Sequence, residues 1–245
     1  EHGAACGTEL TCAPPAPTPP PPHTVGDVPT SVETQAGGID GMTTYRLMVD
    51  MPAGYANVYA LAGTPAHSNG VTGDLSMPAA YQVGTPFGAD IGGVDPAFFA
   101  FSGEAEFDSW ITIGMTDGSD SNAISASPGL GLDAWTADAA FSTDNGAIFW
   151  MAPPSGPSGS GIVMAQITLP EGAGGSVTAL LQGQSVGGAE GQDWQTAVSW
   201  DWEASGSSGG GGGGGDQSGG GGGGGPPPGC GGNAPLQGQS SCANC

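Results

Sequence analysis

Three acidic residues at alternate positions form the first group whose chemistry could be catalytic. Glu104, Glu106 and Asp108 precede the apolar run 109–116, and in an extended strand their side chains would share one face. A glycosidase needs two carboxyl groups at a set separation, one as acid and one as nucleophile or base. Acidic residues at a strand entrance also protect a sheet edge from association. A secreted glycosidase is therefore the third of three functional hypotheses.

A second group is rich in oxygen ligands. Residues 117–122 read DGSDSN, in which Asp117, Asp120 and Asn122 could bind Ca²⁺ together with backbone carbonyls and with Asp74 or Asp144. The segment lacks the full calcium-loop pattern, and its Asp-Gly and Ser-Asp pairs are equally typical of ordinary turns. Calcium is the one cofactor that the sequence suggests; an unliganded turn is the alternative.

A nucleophilic hydrolase is poorly supported. His67 is the only histidine in the central part of the chain, and the Ser-rich loop 155–161 does not form a G-x-S-x-G pattern. We expect His67 to be a solvated loop residue, and the chain to be non-enzymatic.

Six tryptophans suggest either a core or a sugar-binding surface. Trp194, Trp200 and Trp202 occupy positions of equal parity in the last apolar run, so one strand face carries all three. A buried row would be core, which is the commoner case, whereas an exposed row would stack against sugars. A carbohydrate-binding or Ca²⁺-dependent adhesive module is the alternative functional hypothesis.

Short strands must position all of these residues. About ten short runs rich in β-branched and aromatic residues alternate with Gly, Pro and Asp, and no 3.6-residue period is evident. In 145–170, two apolar runs flank a Pro/Ser/Gly loop and are predicted to pair. Asn145-Gly146 predicts a tight hairpin within this region, and residues 52–54 predict another. The fold class is an all-β antiparallel sandwich, jelly-roll-like; a helical turn is expected only within 130–140.

Composition divides the 245 residues into three parts. Residues 1–37 form a Cys- and Pro-rich extended segment, 38–203 the sandwich, and 204–245 a Gly/Pro-rich low-complexity tail with a terminal Cys cluster. Many of the 49 Gly and 22 Pro fall in the two outer parts. Residues 31–34 could be a loop or an extra strand.

The charge balance excludes several classes of partner. Arg46 is the only Lys or Arg residue against 23 acidic residues, which gives a formal net charge of −22. Such a field repels nucleic acid and anionic lipid, and no run of 18 apolar residues predicts membrane insertion. Divalent cations or neutral polymers remain suitable partners. Subunit linkage through lysine isopeptide bonds is excluded because lysine is absent.

The termini indicate secretion. Five cysteines lie outside the central domain, which favours disulfides in an oxidising compartment over a metal site: Cys6, Cys12, Cys230, Cys242 and Cys245. The chain starts at Glu1 without Met, as expected of a processed extracellular protein. The polyproline stretch contains candidates for O-linked glycosylation, with the prolines hydroxylated: Thr18, Pro19, Pro20, Pro21 and Pro22.

Three motifs carry a family resemblance. Residues 81–89 (YQVGTPFGA), 108–118 (DSWITIGMTDG) and 147–159 (AIFWMAPPSGPSG) resemble an uncharacterised secreted β-sandwich domain of algae and other protists. With its Pro-rich head and Gly-rich tail, the whole chain resembles protomers of glycosylated extracellular fibrils from environmental water samples. The resemblance covers about 44–202 and implies structural motifs without catalytic residues.

The main functional hypothesis follows from these features together. We expect a structural subunit of an extracellular fibril or surface appendage, a homopolymer that assembles through its tails and sheet edges. Residues 25–35 are a candidate for pairing with the sheet edge of a neighbouring subunit.

Overall fold

The computed structural model describes residues 27–36, 38–65, 73–120, 122–187 and 193–204. Backbone contacts divide the chain into Glu1–Ser207 and Ser208–Cys245. All described residues belong to the first unit. They contain the strands β1 Thr30–Thr34, β2 Met42–Val49, β3 Ala60–Gly63, β4 Leu75–Met77, β5 Trp110–Ile111, β6 Ile124–Ala126, β7 Phe141–Thr143, β8 Gly146–Trp150, β9 Ile162–Pro170, β10 Gly175–Gln184 and β11 Asp193–Trp202.

Two antiparallel sheets pack face to face. The four-stranded sheet has the order β1-β2-β9-β5. In the seven-stranded sheet, β10 pairs with β11 on one side and with both β3 and β4 on the other. β3 continues to β8 and then to β6, and β4 continues to β7. This arrangement confirms the predicted all-β antiparallel sandwich.

The middle of the seven-stranded sheet is built from interrupted strands. β3 and β4 follow one another along the same side of β10, and a bridge joins Thr64, which follows β3, to Gly73, which precedes β4. β7 and β8 run in line against them, with Thr143 opposite Leu75 and Gly146 opposite Gly63.

The predicted Asn145-Gly146 hairpin is therefore wrong, because β7 and β8 pair with other strands and not with each other. A type I′ turn needs φ > 0 at both central residues, and Gly146 is not among the glycines with positive φ. Gly146 adjoins the Leu130 side chain: a Cβ at this position would lie 2.4 Å from Cδ1 of Leu130, which would have to move.

Two other predicted pairings also fail. β8 lies in the seven-stranded sheet and β9 in the four-stranded sheet, so the apolar runs within 145–170 do not pair. The turn at 52–54 likewise leads from β2 in one sheet to β3 in the other. Local turn residues indicate where the chain reverses, but the sheet that a strand joins depends on distant partners.

Short 3₁₀-helices occur between the strands. Pro96–Phe98 is one of them, because Asp95 caps its start by accepting a hydrogen bond from Ala97 N–H at 2.9 Å, and Pro96 occupies its first position. The helical turn expected within 130–140 is confirmed at Leu132–Ala134. In the described ranges no helix is long and apolar enough to span a membrane.

β1 brings residues before position 38 into the four-stranded sheet. It pairs along its whole length with β2, from Thr30 opposite Val49 to Thr34 opposite Tyr45. The strand alternative for 31–34 is thus confirmed. The use of 25–35 as a donor strand is wrong for Thr30–Thr34, because these residues already pair within their own chain.

The main core lies between the sheets. Its fully buried side chains include Trp135, Leu47, Leu61, Ile148 and Met164. A second, smaller cluster of Met48, Trp110 and Val163 lies on the outer face of the four-stranded sheet. β9 is buried from Ile162 to Leu169, which is consistent with apolar packing on both of its faces.

Glycine lies opposite tryptophan at both ends of the β10–β11 ladder. Gly183 pairs with Trp194, and Gly175 pairs with Trp202. A Cβ at Gly183 would lie 1.9 Å from the carbonyl oxygen of Asn57 and 2.4 Å from the Trp194 ring. Both neighbours are held in place, since Trp194 Nε1 donates to that same carbonyl at 3.1 Å.

We expect Gly183→Ala to lower the free energy of unfolding by about 1–3 kcal/mol, as overpacking of a closed site does. Chemical denaturation of the variant tests this. Gly103→Ala is the matched control, because a Cβ at Gly103 would meet nothing within 4 Å. Equal losses of stability in the two variants would contradict the close-packing explanation.

Candidate functional site

A cross-strand row places the chain's single arginine on the outer face of the four-stranded sheet. Arg46 in β2 lies opposite Gln166 in β9, and Gln166 lies opposite Trp110 in β5. Leu47 and Val49 belong to the main core. Strand alternation therefore directs Arg46 to the opposite face.

Two hydrogen bonds hold the guanidinium of Arg46. Its Nε donates to Oε1 of Gln166 at 3.2 Å, and its Nη2 donates to the carbonyl oxygen of Thr116 at 3.1 Å. Gln166 is itself fixed, because its Nε2 donates to the carbonyl oxygens of Glu106 and Asp108, both at 2.9 Å. Burial lowers the pKa of Arg46, and the charges of Asp117 and Glu106 act in the opposite direction.

A cavity of about 280 Å³ opens beside this guanidinium. Arg46, Glu106 and Asp117 contribute charged groups to its wall, and Phe99 and Trp110 contribute aromatic rings. In the described part of the chain the guanidinium donates to an amide and a carbonyl, and to no carboxylate. The acidic groups and the cation therefore share a polar cavity without pairing directly.

The predicted acidic trio does not share one face. Residues 103–107 form a 3₁₀-helix, Gly103–Phe107, in place of an extended strand entrance. With three residues per turn, positions two apart point in different directions. Glu104 accepts a hydrogen bond from the Tyr81 hydroxyl at 2.7 Å, and Glu106 lines the Arg46 cavity. Burial, followed by the bond to Glu104, raises the pKa of Tyr81 to about 12.

Asp108 is fully buried and organises the surrounding loops. Its Oδ1 accepts hydrogen bonds from the N–H groups of Val83 at 2.7 Å and Ser109 at 3.0 Å, and its Oδ2 accepts one from Ala89 at 2.7 Å. Burial raises the pKa of Asp108 to about 6, although the three hydrogen bonds favour the charged form. The contacts give Asp108 a structural role at this position.

The residues predicted to bind calcium lie beside the cavity. Asp117 Oδ1 accepts the N–H of Ser119 at 2.9 Å, and this contact with Ser119 lowers the pKa of Asp117. Asp120 ends the 3₁₀-helix Gly118–Asp120, and Asn122 follows it. Within the described ranges, no group of three or more His, Cys, Asp or Glu residues could hold a metal ion. The calcium site stays a prediction.

Asp74 and Asp144, the suggested additional ligands, adjoin the ends of β4 and β7 in the seven-stranded sheet. The segment that contains Asp117 follows β5 of the four-stranded sheet, so the suggested additional ligands adjoin strands of a different sheet from Asp117.

The tryptophan row is core. Trp194 and Trp200 are 0% and 1% exposed, and Trp202 is half-buried with its ring centroid 5.3 Å from that of Tyr45. The sugar-stacking alternative is therefore wrong for Trp194 and Trp200, since the face they share is turned toward the other sheet.

Several predicted residues lie outside the described ranges. They are His67, the cysteines Cys6, Cys12, Cys230, Cys242 and Cys245, and the glycosylation candidates Thr18, Pro19, Pro20, Pro21 and Pro22.

The edge of the seven-stranded sheet is a second candidate site. β11 pairs with β10 over ten residues without a shift in register, and among the described strands it pairs with no other. β1 packs near β11 but pairs only with β2. β11 contains no Pro and no Lys, two residues with which proteins commonly protect sheet edges.

The register identifies which backbone groups face the open edge. The carbonyls of Gln182 and Gln184 accept hydrogen bonds from Tyr59 and Ala56, so even-numbered residues of β10 direct their backbone polar groups away from β11. Odd-numbered residues of β10 therefore bond to β11, where they lie opposite even-numbered residues such as Thr196. The amides of Ala197 and Ser199 consequently point to the open edge.

In the sequence Arg46 stands out through the net charge, and no motif there predicts a role for it in a site. One signal could have indicated this site: Arg46 is the only arginine in a lysine-free chain, and it lies within a strand of alternating pattern. A single cation on a sheet face is unusual. No family model matches this chain, and no curated protein or solved structure matches it significantly.

Proposed function

We propose that this protein is an extracellular structural subunit that forms a homopolymer through the open edge of β11. The observation that carries the proposal is the length and regularity of that edge: ten residues that pair on one side only among the described strands, without Pro, Lys or a bulge. An edge of this kind is a template for β-strand addition by another chain. The role requires no catalytic step.

A polymer requires two different surfaces. If β11 paired with β11 of a second copy, two-fold symmetry would close the assembly as a dimer. The opposite edge of the same sheet is formed by β6 and β7, which pair only with β8 and β4 among the described strands. Pairing of β11 with this edge in the next subunit would extend one sheet through successive subunits and leave the polymer open.

The Pro-rich segment completes the proposal for an extracellular fibre. Hydroxylated prolines at Pro19, Pro20, Pro21 and Pro22, together with Thr18, would carry O-linked glycans and keep a stiff, solvated sheath around the fibre. Mass spectrometry of peptides from the natural protein tests this part, and unmodified peptides would contradict it.

Proline scanning of β11 tests the assembly surface. We expect Ala197→Pro to abolish assembly and to leave the monomer folded, because the amide that it removes points to the open edge. Assembly is measured by sedimentation velocity and electron microscopy at about 0.15 M salt, where repulsion between the acidic subunits is screened beyond about 8 Å.

Thr196→Pro is the matched control. Its amide points to β10, so proline at this position should remove a ladder bond and destabilise the monomer by about 1–3 kcal/mol, the cost of a buried carbonyl left without its donor. Ser199→Lys provides a second edge variant that keeps the backbone amide and adds the charge that blocks edges. The proposal would be contradicted if Ala197→Pro and Ser199→Lys both formed fibres as the wild type does. It would also be contradicted if the wild type remained monomeric or stopped at dimers.

A further inference from the structure

We infer that the Arg46 cavity binds a neutral, polyhydroxylated ligand of the size of one monosaccharide unit. This site is separate from the β11 edge, because it lies on the outer face of the other sheet. The inference does not depend on polymer formation.

The unpaired groups of the cavity define the chemistry of the ligand. A guanidinium has five N–H donors, and Arg46 uses its Nε and one Nη2 donor for Gln166 and Thr116. Trp110 is 2% exposed and lines the cavity, and its indole N–H has no acceptor among the described residues. The carboxylates of Glu106 and Asp117 supply acceptor oxygens in the same wall, although Asp117 also accepts from Ser119.

Donors and acceptors that share a cavity suit hydroxyl groups. Each hydroxyl can donate to a carboxylate and accept from a guanidinium or an indole N–H. An anionic ligand would gain from Arg46 but would be opposed by two adjacent carboxylates and by the net charge of −22. A cation would be attracted by the carboxylates and by the net charge, but it has no acceptor for the guanidinium and indole N–H groups. A neutral polyol uses both kinds of group and brings no uncompensated charge.

The apolar part of the wall fits the same class. Phe99 is half-buried beside the cavity, and the C–H faces of a sugar ring pack against aromatic rings much as other apolar surfaces do. A cavity of about 280 Å³ lies just below the range of sites for drug-sized ligands. It therefore holds one ring unit, either as a free sugar or as the end of a longer chain.

The test is binding of methyl glycosides to the full chain, measured by saturation-transfer NMR and calorimetry. The panel contains neutral hexoses, pentoses and N-acetylhexosamines, with glucuronic acid, glutamate and putrescine as charged comparators. We expect at least one neutral glycoside to bind, and to bind more tightly than its uronic acid counterpart. Methyl glycosides with one and with three sugar units distinguish an isolated ring from the end of a longer chain.

Three pairs of variants locate the binding. Glu106→Gln, Asp117→Asn and Phe99→Ala change the cavity wall, and their controls are Glu104→Gln, Asp120→Asn and Phe101→Ala. Loss of a hydrogen bond to a charged group should weaken binding by about ten- to a hundredfold in Glu106→Gln and Asp117→Asn.

Arg46→Lys keeps the charge but loses the planar fork, so it should weaken binding by a similar factor and retain the fold. No neutral glycoside bound at millimolar concentration, tighter binding of a charged comparator, or equal effects in cavity and control variants would each overturn the inference.

Discussion

Replacing Trp200 with Ala is expected to lower the free energy of unfolding by about 3–5 kcal/mol, as truncation of a buried tryptophan does. Trp200 is 1% exposed, and its Nε1 donates to the carbonyl oxygen of Met48 at 2.8 Å. That bond joins β11 of one sheet to β2 of the other. The register of β2 against β9 shifts between Leu47 and Met48, and this irregularity occurs at the carbonyl that the indole reaches.

Trp200→Phe separates the hydrogen bond from the packing. Phenylalanine keeps most of the apolar surface but leaves the Met48 carbonyl without its indole donor, which costs about 1–3 kcal/mol. Trp202→Phe is the matched control, because the Trp202 Nε1 is buried without a partner among the described residues. We expect the control to lose clearly less stability by denaturant unfolding. Equal losses would mean that the inter-sheet bond contributes nothing.

Asp108→Asn is expected to destabilise the fold by about 1–3 kcal/mol at pH 7, although it removes a buried charge. An amide has one acceptor oxygen where the carboxylate has two. Its NH₂ group would face either the Ala89 N–H or the N–H groups of Val83 and Ser109. Asp138→Asn, at an exposed position, controls for the change in net charge.

The pH dependence of this effect has a definite sign. The pKa of Asp108 is raised to about 6 in the folded chain, above the usual value of about 3.9 in an unfolded chain. The folded state therefore binds the proton more tightly, and Asp108 adds stability as the pH falls from about 6 to about 4.

Relative to Asp108→Asn, the wild type should gain up to about 3 kcal/mol over that interval. Denaturant unfolding of both proteins between pH 7 and pH 4 measures it. A difference that stays constant with pH would contradict the raised pKa.

The sequence predicts the faces of strands better than their partners. The alternation in β2 and the parity of the tryptophans in β11 are correct because one face of each strand is buried, which fixes side-chain direction locally. Partner choice is a tertiary property. Asn145-Gly146 is a strong hairpin signal, yet β7 pairs with β4 and β8 pairs with β3, and no local pattern encodes these partners.

The candidate site could be predicted only in part. Glu106 and Asp117 stand out as acidic residues in the sequence, but the sequence suggests a catalytic pair for one and a calcium ligand for the other. Their common neighbour Arg46 lies far from both in the sequence. The cavity arises because residues 94–106 and 116–117, which precede and follow β5, lie beside Arg46 of β2, and such packing depends on the whole sheet.

Hydrogen–deuterium exchange at β11 tests the proposed assembly most directly. The amides of Ala197 and Ser199 should exchange rapidly in the monomer, because they point to the open edge, and should become protected in the polymer. The amides of Thr196 and Val198 bond to β10 and should be protected in both states. Polymers in which Ala197 and Ser199 exchange as rapidly as in the monomer would contradict strand addition at this edge.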